Sequence, residues 1–105
     1  MHKRQTSARG NMSELRVVTA YAEAGFVVSM PLDGGAPYDL IVDTGNCLLK
    51  PQVKTSRLRN CCVIFPMQRH SEHNAKPRSY DQGEIDLFTV YCPDNAKIYI
   101  MAIWR

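Results

Sequence analysis

The stretch SELRVVTAYAEAGF, from Ser13 to Phe26, carries apolar residues at the three-and-four spacing of a helix. Leu15, Val18 and Ala22 form the predicted buried stripe. Ser13, or Ser7 before it, is placed to cap the helix, and Gly25 to end it. Glu14 precedes Val17, Val18 and Tyr21 by one helical repeat or two, which puts it at the edge of the apolar face. An acid in a first turn is favourable in its own right, so periodicity alone does not separate a structural Glu14 from a functional one. After Phe26 the pattern shortens to runs of strand length. FVVSM is a first strand, and LDGGAP a loop whose paired glycines lack the Gly-Lys-Ser/Thr of a phosphate loop. YDLIV and CLLKPQVKT follow as two strands joined by DTGN, a hairpin signal. Pro51 cannot donate to a ladder, so it predicts an edge or a bulge just before Gln52. CCVIFPM is a further strand, and residues 70–83 are polar and read as a loop or short irregular helix. IDLFTVYC and KIYIMAIW close the chain around a PDNA turn. One helix and then about six strands predict an α+β fold with a mostly antiparallel, twisted sheet.

Composition narrows this little. The chain has 105 residues, enough for one small domain, and a hydrophobic share of 45% argues against wholesale disorder. No apolar run approaches the roughly 18 residues of a membrane span, so no membrane partner is expected. The opening MHKRQTSARG is basic and no apolar signal core follows it. It reads as a basic arm over residues 1–10, before a domain of residues 11–105. Cys47, Cys61, Cys62 and Cys92 include no C-x-x-C pair, which argues against a zinc knuckle. They are expected to be buried, reduced thiols of a cytoplasmic protein, with Cys61 and Cys62 on opposite faces of a strand.

Charge changes the picture more. From Thr44 to Arg78 the basic residues are Lys50, Lys54, Arg57, Arg59, Arg69, Lys76 and Arg78, against Glu72 alone. The next segment, Ser79 to Asn95, holds Asp81, Glu84, Asp86 and Asp94 and no Lys or Arg. Such asymmetry suits a polyanion-binding face, although solvated basic loops give the same count.

Gln52 and Lys54 lie within that basic segment, and Asp39 just before it. Alternation along a strand puts Gln52 and Lys54 on one side, and an antiparallel hairpin can bring Asp39 beside them. Asp39 offers a hard oxygen ligand and Gln52 a neutral, weaker one, a combination that magnesium accepts while keeping waters and substrate phosphate oxygens. Lys54 can hold or deprotonate an attacking water and stabilise phosphate charge, and Glu14 can complete the acidic group. On spacing alone the same residues also suit an ordinary sheet. His70 and His73 could bind a metal if helical, but exposed loop histidines are commoner. Asp86 opens an apolar strand, where a turn or structural role competes with an acidic one. Tyr80, Arg57 and Arg59 are candidate phosphate contacts, and Trp104 a core or interface anchor.

Glu14 in a first helix, AGF at its end, YDLIV and then QVKTSR resemble the PD-(D/E)XK nuclease core. Tyr80 with EIDLFTVYCPDNAKIYI extends the similarity toward the group I intron-encoded homing endonucleases of that superfamily. The resemblance implies a restriction-endonuclease-like core and a DNA endonuclease that uses Mg2+ or Mn2+. It gives Asp39 the role of the motif aspartate, Lys54 the motif lysine and Glu14 the helix glutamate. Gln52 stands where most of the superfamily has Asp or Glu, a replacement the intron-encoded group shares, and Tyr38 stands where the general motif has proline. A bulge at Pro51 is expected to offer the Val53 carbonyl as a further ligand. Arg57, Arg59, Lys50, Arg69, Lys76 and Arg78 are the expected contacts to double-stranded DNA. A homodimer or larger homo-oligomer is expected, since one such site attacks one strand. Members of that group carry more residues after the sheet, so recognition or assembly supplied there is expected to be missing or rearranged. A repair or Holliday-junction-resolving nuclease is the alternative within the class, and a non-catalytic DNA-binding module that keeps the fold is the alternative outside it.

Overall fold

The computed structural model describes residues 2–66 and 83–103, with side chains from Arg9 onward. Among these residues a single helix, α1 (His2–Glu23), lies against the strands. The stretch expected as an arm is thus the first part of the helix. Lys3, Arg4, Gln5, Ala8 and Arg9 are good helix formers with no proline among them, so nothing stops the helix from running through.

The buried face of α1 also differs from the apolar stripe. Ser13, Val17 and Tyr21 are buried, whereas Ala22 is exposed and Leu15 is 63% exposed. Two of the three buried side chains carry a hydroxyl, and each finds a hydroxyl partner on the sheet. Ser13 Oγ and Thr55 Oγ1 are 2.6 Å apart, as are Tyr21 Oη and Thr89 Oγ1. Ser13 is therefore a mid-helix anchor and not a cap. Gly25 does end the helix, with φ +90°. Its N–H donates to Ala22 C=O, Phe26 N–H donates to Tyr21 C=O, and the Tyr21 and Phe26 rings pack at 6.4 Å. That is a Schellman ending with its accompanying apolar contact.

Eight strands follow among the described residues: β1 (Val27–Ser29), β2 (Ile41–Asp43), β3 (Leu48–Leu49), β4 (Pro51–Thr55), β5 (Arg57–Arg59), β6 (Cys62–Ile64), β7 (Leu87–Cys92) and β8 (Lys97–Ala102). They form sheets β1-β2-β3, β4-β7-β8 and β5-β6. All pairs are antiparallel except β4 with β7, which is parallel. The fold is α+β and mostly antiparallel, as the pattern predicts. The stretch read as one strand, CLLKPQVKT, is divided at Lys50, where the chain leaves one sheet for another. There Lys50 N–H donates to Asp86 Oδ2 at 2.8 Å and Lys50 C=O accepts from Asp86 N–H at 2.9 Å. Asp86 thus has the structural role weighed for it. A second departure is the β5-β6 hairpin, turned by Asn60 (φ +51°) and Cys61 (φ +64°). Cys61 is in that turn and not in a strand. Cys47, Cys61 and Cys62 are exposed and only Cys92 is buried, because the first three lie on hairpins that no described element covers; all four are free.

Every residue of β7 is buried. Tyr91 joins Val17, Tyr21, Leu40 and Val42 in the core under α1, and Phe88 and Val90 join Ile85 on the other face. The second face is covered by Tyr38, Val63, Phe65 and Ile103. A central strand covered on both sides explains the near-continuous apolar run LFTVYC. At the outer edge, β8 leaves Ile100 63% exposed. Trp104, the expected anchor beyond it, lies outside the described residues. Among the described residues no helix is long and apolar enough to cross a membrane.

The hydroxyl pairs give a stability test. Tyr21→Phe leaves Thr89, 1% exposed, without its partner. The expected cost is about 1–3 kcal/mol in urea denaturation, and Tyr21→Phe with Thr89→Val should recover part of it. Equal stability of Tyr21→Phe and wild type would mean that the pair does not tie helix to sheet.

Candidate active site

Asp39 precedes β2 and lies along the outer edge of β4. Its N–H donates to Pro51 C=O at 3.1 Å, and its Oδ2 accepts from Val53 N–H at 2.8 Å. The β2-β3 register pairs Val42 with Leu49 and Asp43 with Leu48, and the Asp39 N–H bond to Pro51 C=O carries the segment before β2 on past Lys50 alongside β4. The N–H and C=O of one extended residue leave a strand on the same edge. The Val53 carbonyl therefore faces the edge where Asp39 lies. The missing N–H of Pro51 points there too, so β7 loses no donor. The carbonyl is presented by an edge and not by the expected bulge, since β4 pairs without interruption from Pro51 to Thr55. Val53 packs into the core under α1, and Gln52 and Lys54 alternate to the other side.

The charges here are held against their preference. Burial pushes the Asp39 carboxyl above its usual range, while the Val53 N–H and the Lys54 ammonium pull it partly back. Burial also raises Glu14, and the negative charge of Asp39 raises it further. Burial lowers Lys54, with Asp39 opposing the shift. Glu14 reaches this neighbourhood because its neighbour Ser13 is fixed to Thr55. The structure thus brings Glu14, Asp39 and Lys54 into one electrostatic group, with Gln52 and the Val53 carbonyl on the same strand.

Among the described residues no group of three or more His, Cys, Asp or Glu could hold a metal. A cation here would take the Asp39 and Glu14 carboxylates, the Gln52 amide oxygen and the Val53 carbonyl. That donor set is thin but fits magnesium or manganese, which use few carboxylates and keep water and phosphate oxygens. Two carboxylates with raised pKa are what a nearby cation relieves.

The expected DNA contacts fall in three groups. Arg57 and Arg59 are exposed on β5. Lys50 turns its ammonium onto Gly83 C=O, 5.9 Å from the centre of the Tyr38 ring, so it serves the strand junction. Arg69, Lys76 and Arg78, with His70, His73 and Tyr80, lie outside the described residues. Arg9, from the stretch expected as a basic arm, lines with Arg57, Thr55, Ser56 and Phe65 a groove of about 510 Å³.

Comparison with known proteins bears on this geometry. The chain belongs to the PD-(D/E)XK endonuclease family, whose profile matches residues 4–104. Nucleases of this family generally use divalent metal ions. Among solved structures the chain is similar to a bacterial homing endonuclease, I-Ssp6803I, with a TM-score of 0.76 and 23% identity. The match covers 92% of this chain and 68% of that one, and shows a shared fold. Comparison with curated proteins gives no match.

The strained carboxylate makes a stability prediction. An acid whose folded pKa is raised stabilises the fold fully below its unfolded pKa, and that contribution is lost as pH rises through the folded value. Metal-free Asp39→Asn, neutral throughout and still able to accept from Val53, should melt a few degrees above wild type at about pH 8. The gap should close as pH falls below the ordinary aspartate value of about 3.9, where Asp39 is protonated in the folded and unfolded chain alike. Melting curves that coincide at the higher pH would show that burial does not strain Asp39.

Proposed function

We propose that the chain is a divalent-metal-dependent endonuclease that hydrolyses phosphodiester bonds in DNA in the manner of homing endonucleases. The observation that carries this is the Asp39 carboxylate, pinned by the Val53 N–H at an open strand edge and coupled to Glu14 and Lys54. Glu14, Asp39, Gln52 and the Val53 carbonyl are the groups proposed to hold Mg2+ or Mn2+. When bound, such an ion neutralises phosphate charge and makes water acidic enough to attack. The protein groups then have separate tasks. Asp39, immobilised by its hydrogen bond, orients the cluster without reorganising during reaction. Lys54, half-buried and with its pKa lowered, is poised to hold or deprotonate water and to place positive charge against the phosphate. Gln52 contributes an oxygen without another negative charge.

The test is incubation with supercoiled, linear and branched DNA, with and without added magnesium or manganese. Metal-dependent cleavage is expected, reduced at least about 100-fold by Asp39→Ala and by Lys54→Ala and somewhat less by Glu14→Ala. Retained DNA binding in these variants places the loss in chemistry. Wild-type rates in Asp39→Ala would remove the site, preference for branched substrate would identify a junction-resolving enzyme, and binding without cleavage would identify a non-catalytic module.

Arg57 and Arg59, exposed on β5, and Arg9 across the groove are the proposed phosphate-binding groups outside the cluster. The logarithm of affinity should fall linearly with the logarithm of salt concentration. Replacing Arg57 and Arg59 with Ala should flatten that slope by about 0.9 for each phosphate no longer neutralised. An unchanged slope in a filter-binding or anisotropy titration would move the DNA face off this hairpin.

A further inference from the structure

The site depends on where β4 begins, and β4 begins without a backbone donor because its first residue is Pro51. The preceding peptide units supply the anchorage. Lys50 N–H donates to Asp86 Oδ2 at 2.8 Å, and Lys50 C=O accepts from Asp86 N–H at 2.9 Å. One residue thus holds both sides of Lys50, once through its carboxylate and once through its backbone. Asp86 is itself fixed, since its carbonyl accepts from Ile103 N–H at 3.3 Å. On the far side of Lys50, Pro51 C=O accepts from Asp39 N–H and Val53 N–H donates to the Asp39 carboxylate. The Lys50 ammonium adds a third tie, reaching Gly83 C=O and the ring of Tyr38, the residue next to Asp39.

We propose that Asp86 is a positioning residue for phosphodiester hydrolysis, setting through the Lys50 peptide the separation between Asp39 and the Gln52–Lys54 edge of β4. The proposal rests on the nuclease reading. Asp86 acts through an acceptor oxygen and not through charge. Its carboxylate is occupied by a backbone N–H at the sheet junction, and the role requires only that this N–H be satisfied. Loss of the acceptor leaves a part-buried donor without a partner at the point where the chain changes sheets. The junction then shifts, and Asp39 loses its register with Val53. A displacement on the order of 1 Å in a catalytic cluster lowers rates by up to about 100-fold.

Three variants test this. Asp86→Ala should lower kcat about 10- to 100-fold with little change in KM or in DNA affinity. Asp86→Asn, which keeps an oxygen for Lys50 N–H, should restore most of the rate. Ile98→Ala on β8, at the sheet edge opposite β4, weakens the core under α1 and should lower stability while keeping kcat. Hydrogen exchange supplies a readout free of activity: Val53 N–H should lose protection in Asp86→Ala and keep it in Asp86→Asn. Wild-type kcat in Asp86→Ala overturns the proposal. Equal inactivation by Ala and Asn also overturns it, because the charge itself would then be required. If wild-type protein cleaves no DNA, the nuclease reading fails separately, and unchanged Val53 protection in Asp86→Ala removes the positioning role as well.

Discussion

The hydrogen bond from Val53 N–H to the Asp39 carboxylate joins segments attached to two different sheets, and it constrains what β4 can be. Val53 N–H points away from β7, so no further strand can pair on that side while Asp39 holds it. An open strand edge is ordinarily a liability, because its unpaired groups invite another chain. Here Pro51 removes one donor and Asp39 engages the next, so the edge is blunted without being covered. Along this edge lie the Val53 carbonyl, the Asp39 carboxylate and the half-buried Gln52 and Lys54.

Holding charges in this way works against stability. Asp39, Glu14 and Lys54 are each shifted toward their neutral forms by burial, and the two carboxylates repel one another. The compensation lies elsewhere: in the fully buried β7, in the two hydroxyl pairs that fasten α1, and in the Arg16 guanidinium 5.8 Å from the centre of the Tyr91 ring. The fastening of α1 also sets where Glu14 lies. Glu14 is brought to Asp39 only if the turn carrying Ser13 stays on Thr55, which follows Lys54 directly in β4.

The parts of this arrangement that were legible in the sequence are those governed by local rules. Alternation put Gln52 and Lys54 together, the DTGN turn brought Asp39 back toward them, and helical spacing set Glu14 at the edge of a face. The parts that were not legible depend on partners far along the chain. Nothing near Lys50 shows that its peptide will be taken by Asp86, so CLLKPQVKT reads as one strand when it is two. Apolar periodicity gives no weight to Ser13 or to the Tyr21 hydroxyl, whose burial is possible only because Thr55 and Thr89 await them, and the stripe was therefore placed on Leu15 and Ala22. The β5-β6 turn escaped for another reason. Asn60-Cys61 takes up the left-handed conformation without the glycine that usually advertises it.

The neutral residue at position 52 follows from the same electrostatics. Burial already disfavours the ionised forms of Asp39 and Glu14, and the Val53 N–H and the Lys54 ammonium pull Asp39 only partly back. A carboxylate in place of Gln52 would add a third negative charge beside β4 in a half-buried setting, where like charges push one another toward protonation. Protonated ligands bind cations poorly, so a third acid returns less affinity than its charge suggests. An amide gives the oxygen and none of the repulsion. Under the proposed function, the missing charge would come from the substrate, whose phosphates carry anionic oxygens of their own. On this argument Gln52 does not mark a decayed site. Under the proposed function, Gln52 would leave part of a cation's ligation to the phosphates of DNA, so that the full set of ligands would assemble when both are present.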